Sequence, residues 1–131
     1  MLVIDASVLF EVVADTPEAE SLRQVLSADT DHAAPHLIDA EVLSAVQMHH
    51  RRGDLDQTAA GQAIADLRSW PGERWPHDLL VGRAWELRHN VRGYDALYVA
   101  LAEALGAPLL TLDARLASAA GPTCEILVPA V

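Results

Sequence analysis

The chain contains no lysine and one cysteine, and aromatic residues make up only 5% of it. All nine basic residues are arginine, against 19 aspartates and glutamates, which gives a formal net charge of −10 at pH 7. A protein this acidic does not attract nucleic acid through a broad positive surface. Taken alone, the composition therefore argues against a nucleic-acid partner.

The chain also lacks the features of secreted and membrane-spanning proteins. Because Cys124 is the only cysteine, no intramolecular disulfide can form, as is typical of the reducing cytosol. No basic segment precedes the first apolar run, as it would in a secretory signal. The longest apolar stretch, residues 96–112, is interrupted by Glu103, Gly106 and Pro108 and is too short to span a bilayer. We therefore expect a cytoplasmic protein that does not contact a membrane.

The remaining composition is that of a folded domain. The 131 residues are 51% hydrophobic and 21% charged, which is ordinary for a globular protein. This length supports one core rather than two, so we predict a single domain over residues 1–131.

Short apolar runs alternate with longer segments of helical periodicity. Leu2–Ile4 and residues 109–112 are the clearest predicted strands, and residues 73–76 and 125–128 are weaker ones. Helices are predicted from Asp5 or Ser7, from Thr16-Pro17, and over residues 36–52, 55–70, 77–89, 94–105 and 114–119, with residues 29–31 as a linker. The strands are apolar without alternation, which is typical of a parallel sheet covered on both faces. The pattern therefore predicts an α/β fold with a mainly parallel central sheet.

Two aspartates follow the two clearest strands. Asp5 and Asp113 are each the first polar residue after the strand, and each precedes a predicted helix. Ligands of open α/β sheets bind outside the carboxyl ends of the strands, so the two carboxylates are candidates for one site. Either residue alone is also explained as a helix N-cap, a position in which aspartate is favoured. Both interpretations stay open at this point.

Glu41 interrupts the apolar face of a predicted helix, because its neighbours one turn away are Leu37 and Ala45. Burying an unpaired carboxylate is costly, so such a residue usually has a partner or a metal ion. The alternative is a residue at the rim of the core that reaches water. Asp39 lies on roughly the opposite face of this helix. It is the second candidate for the site residue if that face, and not the face of Glu41, is turned toward the core.

Asp95 lies in the first turn of the most apolar predicted helix. The helix dipole favours an acid there, which is the simplest explanation for it. Tyr98 and Val99 lie one turn further along the same face. We therefore expect the Asp95 carboxylate to face inward.

These four acids would repel one another if the fold brought them to one edge. Two unit charges about 4 Å apart at an effective dielectric near 20 repel by about 4 kcal/mol, so such a cluster requires protonated carboxyls or a bound cation. Carboxylate oxygens select a hard cation such as Mg²⁺ or Mn²⁺, which suits attack of water on a phosphodiester. Ser7 and Thr111, each two residues from one of the strand-end aspartates, are candidates for further ligands or for holding the acids in place.

Three segments of the sequence resemble a known family. They are VIDASVL from Val3 to Leu9, DAEVLSAV around Glu41, and YDALYVALAEALGAPLLTLD from Tyr94 to Asp113, which ARLA follows. Together they resemble the PIN-domain ribonucleases, and among these the VapC toxins of bacterial toxin–antitoxin pairs. The likeness extends over the whole chain, and the first and third segments together make it specific.

The resemblance implies a three-layer α/β/α fold and a Mg²⁺- or Mn²⁺-dependent endoribonuclease that acts as a toxin. Asp5, Glu41, Asp95 and Asp113 match the acidic quartet of the family, with Asp5 and Asp95 in the places of the most direct metal ligands. Ser7 and Thr111 match the hydroxyl positions that accompany these acids in the family. Family members usually form homodimers and are inhibited by a VapB-like antitoxin, which wraps the toxin and often brings an Arg or Lys to the metal site.

The sequence departs from the family pattern just before the third segment. Arg92-Gly93 stands where small or hydroxyl residues are common, so Arg92 is expected near the mouth of the pocket. It is a candidate contact for an RNA phosphate, and Arg88 is a second. The alternative for Arg92 is an ion pair with a neighbouring acid. The three tryptophans are more simply explained as core or interface residues than as platforms for bases.

Other functions fit the sequence less well. A receiver domain needs a lysine near its phosphorylated aspartate, and this chain has none. A phosphatase of the haloacid dehalogenase type needs a second aspartate two residues after the first, where this chain has Ser7. A PIN-like interaction module without activity is the main alternative, although all four acids are present.

Overall fold

A computed structural model describes residues 1–130 and shows a parallel sheet. The strands in these residues are β1 (Leu2–Ile4), β2 (His32–Pro35), β3 (Glu73–Trp75), β4 (Leu109–Leu110) and β5 (Ile126–Leu127). They pair in the order β3-β2-β1-β4-β5, and each of these pairs is parallel. The predicted parallel sheet is confirmed, and β1 lies at its centre.

Helices cover the sheet and complete the predicted three-layer α/β/α sandwich. Within residues 1–130 they are α1 (Ala6–Val13), α2 (Ala19–Ser27), α3 (Leu37–Arg52), α4 (Gln57–Ser69), α5 (Val81–Glu86), α6 (Gly93–Leu105) and α7 (Ala114–Ala117). A 3-10 turn at His77–Leu79 precedes α5. Helix α6 contacts β1, β2 and β4, so it crosses the middle of the sheet.

The core is centred on β1 and α6. All three residues of β1 are buried, and so is every residue of α6 from Ala96 to Ala102. Burying one large apolar side chain stabilises the fold by about 1.5–3 kcal/mol, so a helix that is apolar all round is stable inside the protein. Helix α6 has only 13 residues, and no helix in the described part of the chain is long and apolar enough to cross a bilayer.

Several helix ends follow from local sequence. Asp5 caps α1, because its Oδ1 accepts the N–H groups of Ser7 at 3.1 Å and Val8 at 3.3 Å. Gly53 ends α3 with a φ of 86° and Gly106 ends α6 with a φ of 61°, in the left-handed region that glycine enters without steric cost. The two helices therefore end at Arg52 and Leu105, where the sequence predicts their ends.

Strand β2 is the element that the sequence does not indicate. It follows directly on the predicted linker, residues 29–31, and contains two alanines and a proline instead of β-branched side chains. A proline has no N–H to donate to a neighbouring strand, so it normally argues against an inner strand. Pro35 is the last residue of β2, and the ladder continues through the N–H of His36, which donates to the Trp75 carbonyl at 2.9 Å.

Some predicted boundaries are wrong. Thr16 does not cap α2, because its carbonyl accepts the Ala19 N–H at 3.0 Å in a turn and the helix begins only at Ala19. The helix predicted over residues 77–89 consists of the 3-10 turn and the six-residue α5. Strand β4 ends two residues earlier than predicted, because the N–H of Leu112 donates to the Ser7 hydroxyl instead of to a strand.

Candidate active site

Asp5 lies at the carboxyl end of β1, in the middle of the sheet. It is only 7% exposed, and both of its carboxylate oxygens are hydrogen-bonded. Oδ1 accepts a hydrogen bond from the Ser7 hydroxyl at 2.5 Å, and Oδ2 accepts one from the hydroxyl of Thr111, which is fully buried. Because β1 and β4 are parallel neighbours, their carboxyl ends meet here and bring Thr111 beside Asp5.

Ser7 and Thr111 each use both the donor and the acceptor side of the hydroxyl. Besides donating to Asp5, the Ser7 oxygen accepts the Leu112 N–H at 3.1 Å, and the Thr111 oxygen accepts the Asp113 N–H at 3.0 Å. A hydroxyl has one donor and two acceptor positions, so it can make both contacts at once. The two side chains therefore fix the Asp5 carboxylate and tie it to the segment that carries Asp113.

Glu41 projects from α3 and is half-buried. The Tyr98 hydroxyl on α6 donates a hydrogen bond to Glu41 Oε1 at 2.7 Å. Burial raises the pKa of Glu41 and the charges of Asp95 and Asp5 raise it further, while the bond from Tyr98 acts in the opposite direction. The sequence indicated that this carboxylate needs a partner but did not identify Tyr98 as that partner.

Asp95 is half-buried in the first turn of α6. Burial raises its pKa and the charge of Asp113 raises it further, while Arg92 and Arg115 oppose the shift. Burial likewise raises the pKa of Asp5, and the charge of Asp95 adds to this effect. Asp95 therefore lies within electrostatic range of each of the other three predicted acids.

Asp113 differs from the other three acids because an arginine partly neutralises it. Its Oδ1 accepts hydrogen bonds from the backbone N–H of Arg115 at 3.0 Å and from the guanidinium Nε at 3.3 Å. The side-chain bond from Arg115 lowers the pKa of Asp113. The only sign of Arg115 in the sequence is its place two residues after a strand-end aspartate.

Two open cavities run over Glu41, Asp95 and Asp113, and Asp5 lines neither of them. One of about 180 Å³ is lined in part by Arg92, Asp95, Asp113 and Arg115, and one of about 420 Å³ by Glu41, Arg92 and Asp95. Because they share two lining residues, the cavities adjoin. We call these five charged residues the acidic cleft. Arg92 thus lies at the cleft, as expected from the sequence, and its charge favours the ionised form of Asp95.

Arg88 lies outside the acidic cleft. The central carbon of its guanidinium lies 4.3 Å from the centre of the Trp85 ring, and Nη1 donates to the Trp85 carbonyl at 2.9 Å. Both residues line a neighbouring groove of about 480 Å³, here called the apolar groove. Its other lining residues are Val81, Ala84, Val91, Arg92, Gly93, Tyr94 and Leu97. The structure therefore gives Arg88 a different setting from Arg92, which lines both the groove and the cleft.

Asp39, the second choice on α3, belongs to another cluster. The Arg74 guanidinium donates to both Asp39 carboxylate oxygens, at 2.9 and 3.1 Å, and to the carbonyls of Leu67 and Trp70 at 3.1 and 2.7 Å. These contacts hold α3, α4 and β3 together. Asp39 therefore has a structural role, and Glu41 is the acid of α3 that approaches the cleft.

The donors at this edge of the sheet match the chemistry of a hard divalent cation. They are carboxylate oxygens with two hydroxyls beside them, and burial raises the pKa of Asp5, Glu41 and Asp95. A cation would offset the charge that burial and mutual repulsion disfavour. Within residues 1–130, no three acidic, histidine or cysteine side chains are positioned to hold an ion. The donor set is suitable, but these side-chain positions do not define a coordination sphere.

Comparison with known proteins agrees with this architecture. The family model described as the PIN domain matches residues 2–122. The ribonuclease VapC1 of Mycobacterium tuberculosis is 41% identical over 125 residues, which cover 95% of this chain and 94% of that protein.

Two solved structures share the fold. The FitAcB structure from Neisseria gonorrhoeae is 15% identical, covers 96% of both chains and has a TM-score of 0.73. A toxin–antitoxin complex from Klebsiella pneumoniae is 18% identical, with coverage of 99% of this chain and 98% of that one and a TM-score of 0.70. At these identities the structures show the fold alone, whereas the family model and the ribonuclease match nearly the whole sequence. The chain therefore belongs to the PIN-domain family and, within it, to the VapC ribonucleases.

Proposed function

We propose that the chain is the toxin of a toxin–antitoxin pair, an endoribonuclease that hydrolyses RNA phosphodiester bonds with Mg²⁺ or Mn²⁺. The observation that carries this proposal is the gathering of acids from three separate elements: Glu41 of α3 and Asp95 of α6 line one cavity, and burial raises the pKa of both and of Asp5 at the end of β1. Folded proteins rarely keep such a cluster without a partner of opposite charge. The ribonuclease relative supports RNA as the substrate.

Asp5 and Asp95 are the residues that would hold the ion, with Asp113 and Glu41 completing its surroundings. When bound, a divalent cation supplies the Lewis acidity for attack of water on the phosphodiester. The Ser7 and Thr111 hydroxyls keep the Asp5 oxygens in one orientation, and the other acids would move to complete the surroundings of the ion.

Glu41 is suited to take the proton from the attacking water. A carboxylate beside the attacking water can accept its proton, and a nearby cation would keep Glu41 in the ionised form that this role requires. Tyr98 donates to Oε1 and so leaves Oε2 to accept the proton.

Arg92 and Arg115 supply the positive charge for the substrate phosphates. Arg92 lines both cavities of the acidic cleft, and Arg115 lies at its far end on Asp113. A phosphate in the cleft would compete with Asp113 for the Arg115 guanidinium. Arg88, which stacks on Trp85 in the apolar groove, has no part in this mechanism and its RNA contact stays a prediction from sequence.

We further propose a VapB-like antitoxin as partner, a homodimer as the assembly and the cytoplasm as the location. The toxin–antitoxin complex that shares the fold supports the first of these. The net charge of −10 favours a partner that brings arginine or lysine to the cleft.

The decisive experiment compares the wild-type chain with Asp95→Asn in RNA cleavage and in growth arrest of an expressing host. Asp95→Asn removes one charge from the proposed metal site, so cleavage should fall by about a hundredfold or more, and EDTA should abolish it in the wild type. Asp66→Asn, an exposed change on α4, is the matched control and should cleave normally. Equal cleavage by Asp95→Asn and the wild type, or activity that survives EDTA, would contradict the proposal and favour an inactive interaction module or another chemistry.

A further inference from the structure

Tyr94 is an exposed aromatic residue that lines part of the acidic cleft. The residue is 65% exposed. It directly precedes Asp95 in the sequence and lies in the first turn of α6. It lines the 420 Å³ cavity together with Glu41, Arg92 and Asp95. It also lines a cavity of about 330 Å³ on the α3 side, with Glu41 and Ser44, and the apolar groove on the α5 side. Tyr94 is therefore the point at which the three openings meet.

The two tyrosines of α6 have different environments. Tyr98, one turn after Tyr94, is buried and donates its hydroxyl to Glu41, so the fold itself accounts for that ring. The ring of Tyr94 contributes little to the core, since most of its surface faces solvent. A large exposed ring beside charged side chains offers a flat apolar face at the place where a substrate phosphate would lie.

We propose that Tyr94 is a positioning residue that stacks an unpaired base of the substrate next to the scissile phosphate. This inference rests on the proposed ribonuclease function and adds to it a residue that would hold a base of the substrate. Each base has a π-face, so an exposed aromatic ring binds unpaired bases with little sequence preference. Bases within a duplex are already stacked on their neighbours and cannot reach such a ring. Arg92, two residues earlier, lies where it can meet the adjoining phosphate.

The polarity of the surroundings favours RNA over a protein partner at Tyr94. The cavity that it shares with Glu41, Arg92 and Asp95 is lined by charges of both signs. Apolar side chains of a protein would instead find their match in the apolar groove, where Val81 and Trp85 are exposed.

The test measures kcat and KM on an unstructured RNA oligonucleotide for the wild type and for Tyr94→Ala, Tyr94→Leu and Tyr94→Phe. Loss of the ring in the alanine and leucine variants should raise KM about tenfold and leave kcat within about threefold, whereas phenylalanine should preserve both. Leucine keeps apolar area without a π-face, so it separates stacking from general apolar contact. Trp85→Ala is the matched control, because Trp85 is 67% exposed but lines only the apolar groove, and it should leave KM unchanged. A duplex of the same sequence should be a poor substrate for each of these proteins.

The outcomes separate this inference from the proposed function. If the wild type cleaves RNA and the alanine and leucine variants retain its KM, the stacking role is wrong and the ribonuclease proposal stands. If the wild type cleaves no RNA with either metal ion, both fail. If the variants cleave normally but lose the dimer or the complex with an antitoxin, Tyr94 is a protein contact and the inference is overturned. Should Tyr94→Ala fail to fold, Tyr94→Leu decides the question.

Discussion

Asp5 combines two roles that the sequence presented as alternatives. Its Oδ1 caps α1 by accepting the N–H groups of Ser7 and Val8, and the same carboxylate belongs to the acidic cluster at the carboxyl end of β1. Asp113 likewise caps α7 and lines the cleft. The two roles are compatible because a cap fixes the side chain in one orientation, which is what a metal or catalytic site requires.

At the residue scale, Thr111→Val tests how the Asp5 carboxylate is held. Valine has nearly the same shape as threonine but no hydroxyl. Asp5 Oδ2 would lose its hydrogen-bond donor, and the Asp113 N–H would lose its acceptor. We expect the free energy of unfolding to fall by about 1–3 kcal/mol, because buried polar groups would lose their partner. Urea denaturation measures the change, and RNA cleavage should fall with it.

Thr58→Val, on the exposed surface of α4, is the control for Thr111→Val and should change stability by less than about 0.5 kcal/mol. If the two valine variants are equally stable, the Thr111 hydroxyl does not hold Asp5 in the way that the structure indicates.

At the scale of elements, α6 connects the acidic cleft with an ion pair two turns further along the helix. Glu103 lies two turns after Asp95 and accepts hydrogen bonds from the Arg83 guanidinium of α5, at 2.6 and 3.2 Å, and from the Thr123 N–H at 2.8 Å. Arg83 also donates to the Gly121 carbonyl at 3.1 Å. Glu103 thereby ties α5 and the segment after α7 to the helix that positions Asp95.

Glu103→Gln should destabilise the fold in a way that depends on pH. Burial alone would raise the pKa of Glu103, but the bonds from Arg83 and the Thr123 N–H outweigh burial and lower it below its ordinary value of 4.5. A carboxyl with a lowered pKa in the folded state stabilises the fold above its unfolded pKa, and this contribution is lost as pH falls through the folded pKa. At pH 7 we expect a loss of about 1–2 kcal/mol in the free energy of unfolding. The difference from the wild type should shrink toward zero as urea titrations move from about pH 5 to about pH 3.

Glu86→Gln provides the control for this prediction. Glu86 pairs with the same Arg83 at 3.3 Å, but its side chain is 65% exposed, so its loss should cost less than about 0.5 kcal/mol. A difference between Glu103→Gln and the wild type that stays constant across the pH range would show that the ionised pair is not the stabilising contact.

At the scale of the whole molecule, only two of the nine arginines, Arg92 and Arg115, line the acidic cleft. Arg23, Arg74, Arg83 and Arg115 each form an ion pair within the chain, and the net charge is −10. Phosphate contacts are therefore expected only at the acidic cleft, from Arg92 and from Arg115 when it leaves Asp113. We therefore expect the proposed RNA substrate to be held locally, because the net charge of the surface as a whole repels it.

Local binding predicts a weak dependence on salt. Two arginine contacts to single-stranded RNA give a slope of about −1.4 in log affinity against log salt concentration. The KM for an RNA oligonucleotide should then rise about sevenfold between about 50 and about 200 mM KCl at constant Mg²⁺. Arg92→Gln should reduce the slope by about 0.7. A slope steeper than about −4 would instead indicate a broad basic surface that the charge distribution does not provide.

Much of the fold could be predicted because it depends on neighbouring residues along the chain. The apolar run of β1, the continuous apolar character of α6 and the glycine ends at Gly53 and Gly106 are local or periodic signals. Strand β2 was not predicted, since its alanines and Pro35 carry no strand preference of their own. It is a strand because β1 and β3 pair with it on both sides, and pairing of this kind is a long-range property.

For the site, too, some features could be predicted from the sequence and others depend on the tertiary structure. By itself, the sequence determined the four acids, the two hydroxyls and the acidic charge, because strand ends, helix starts and a carboxylate on an apolar helix face can be recognised from their immediate neighbours. Only the tertiary structure decided the partners: Tyr98 for Glu41, Thr111 for Asp5 and Arg74 for Asp39, each more than 30 residues apart. A hydrogen bond requires two atoms to come within about 3 Å, and only the packed sheet and helices determine which distant residues do so.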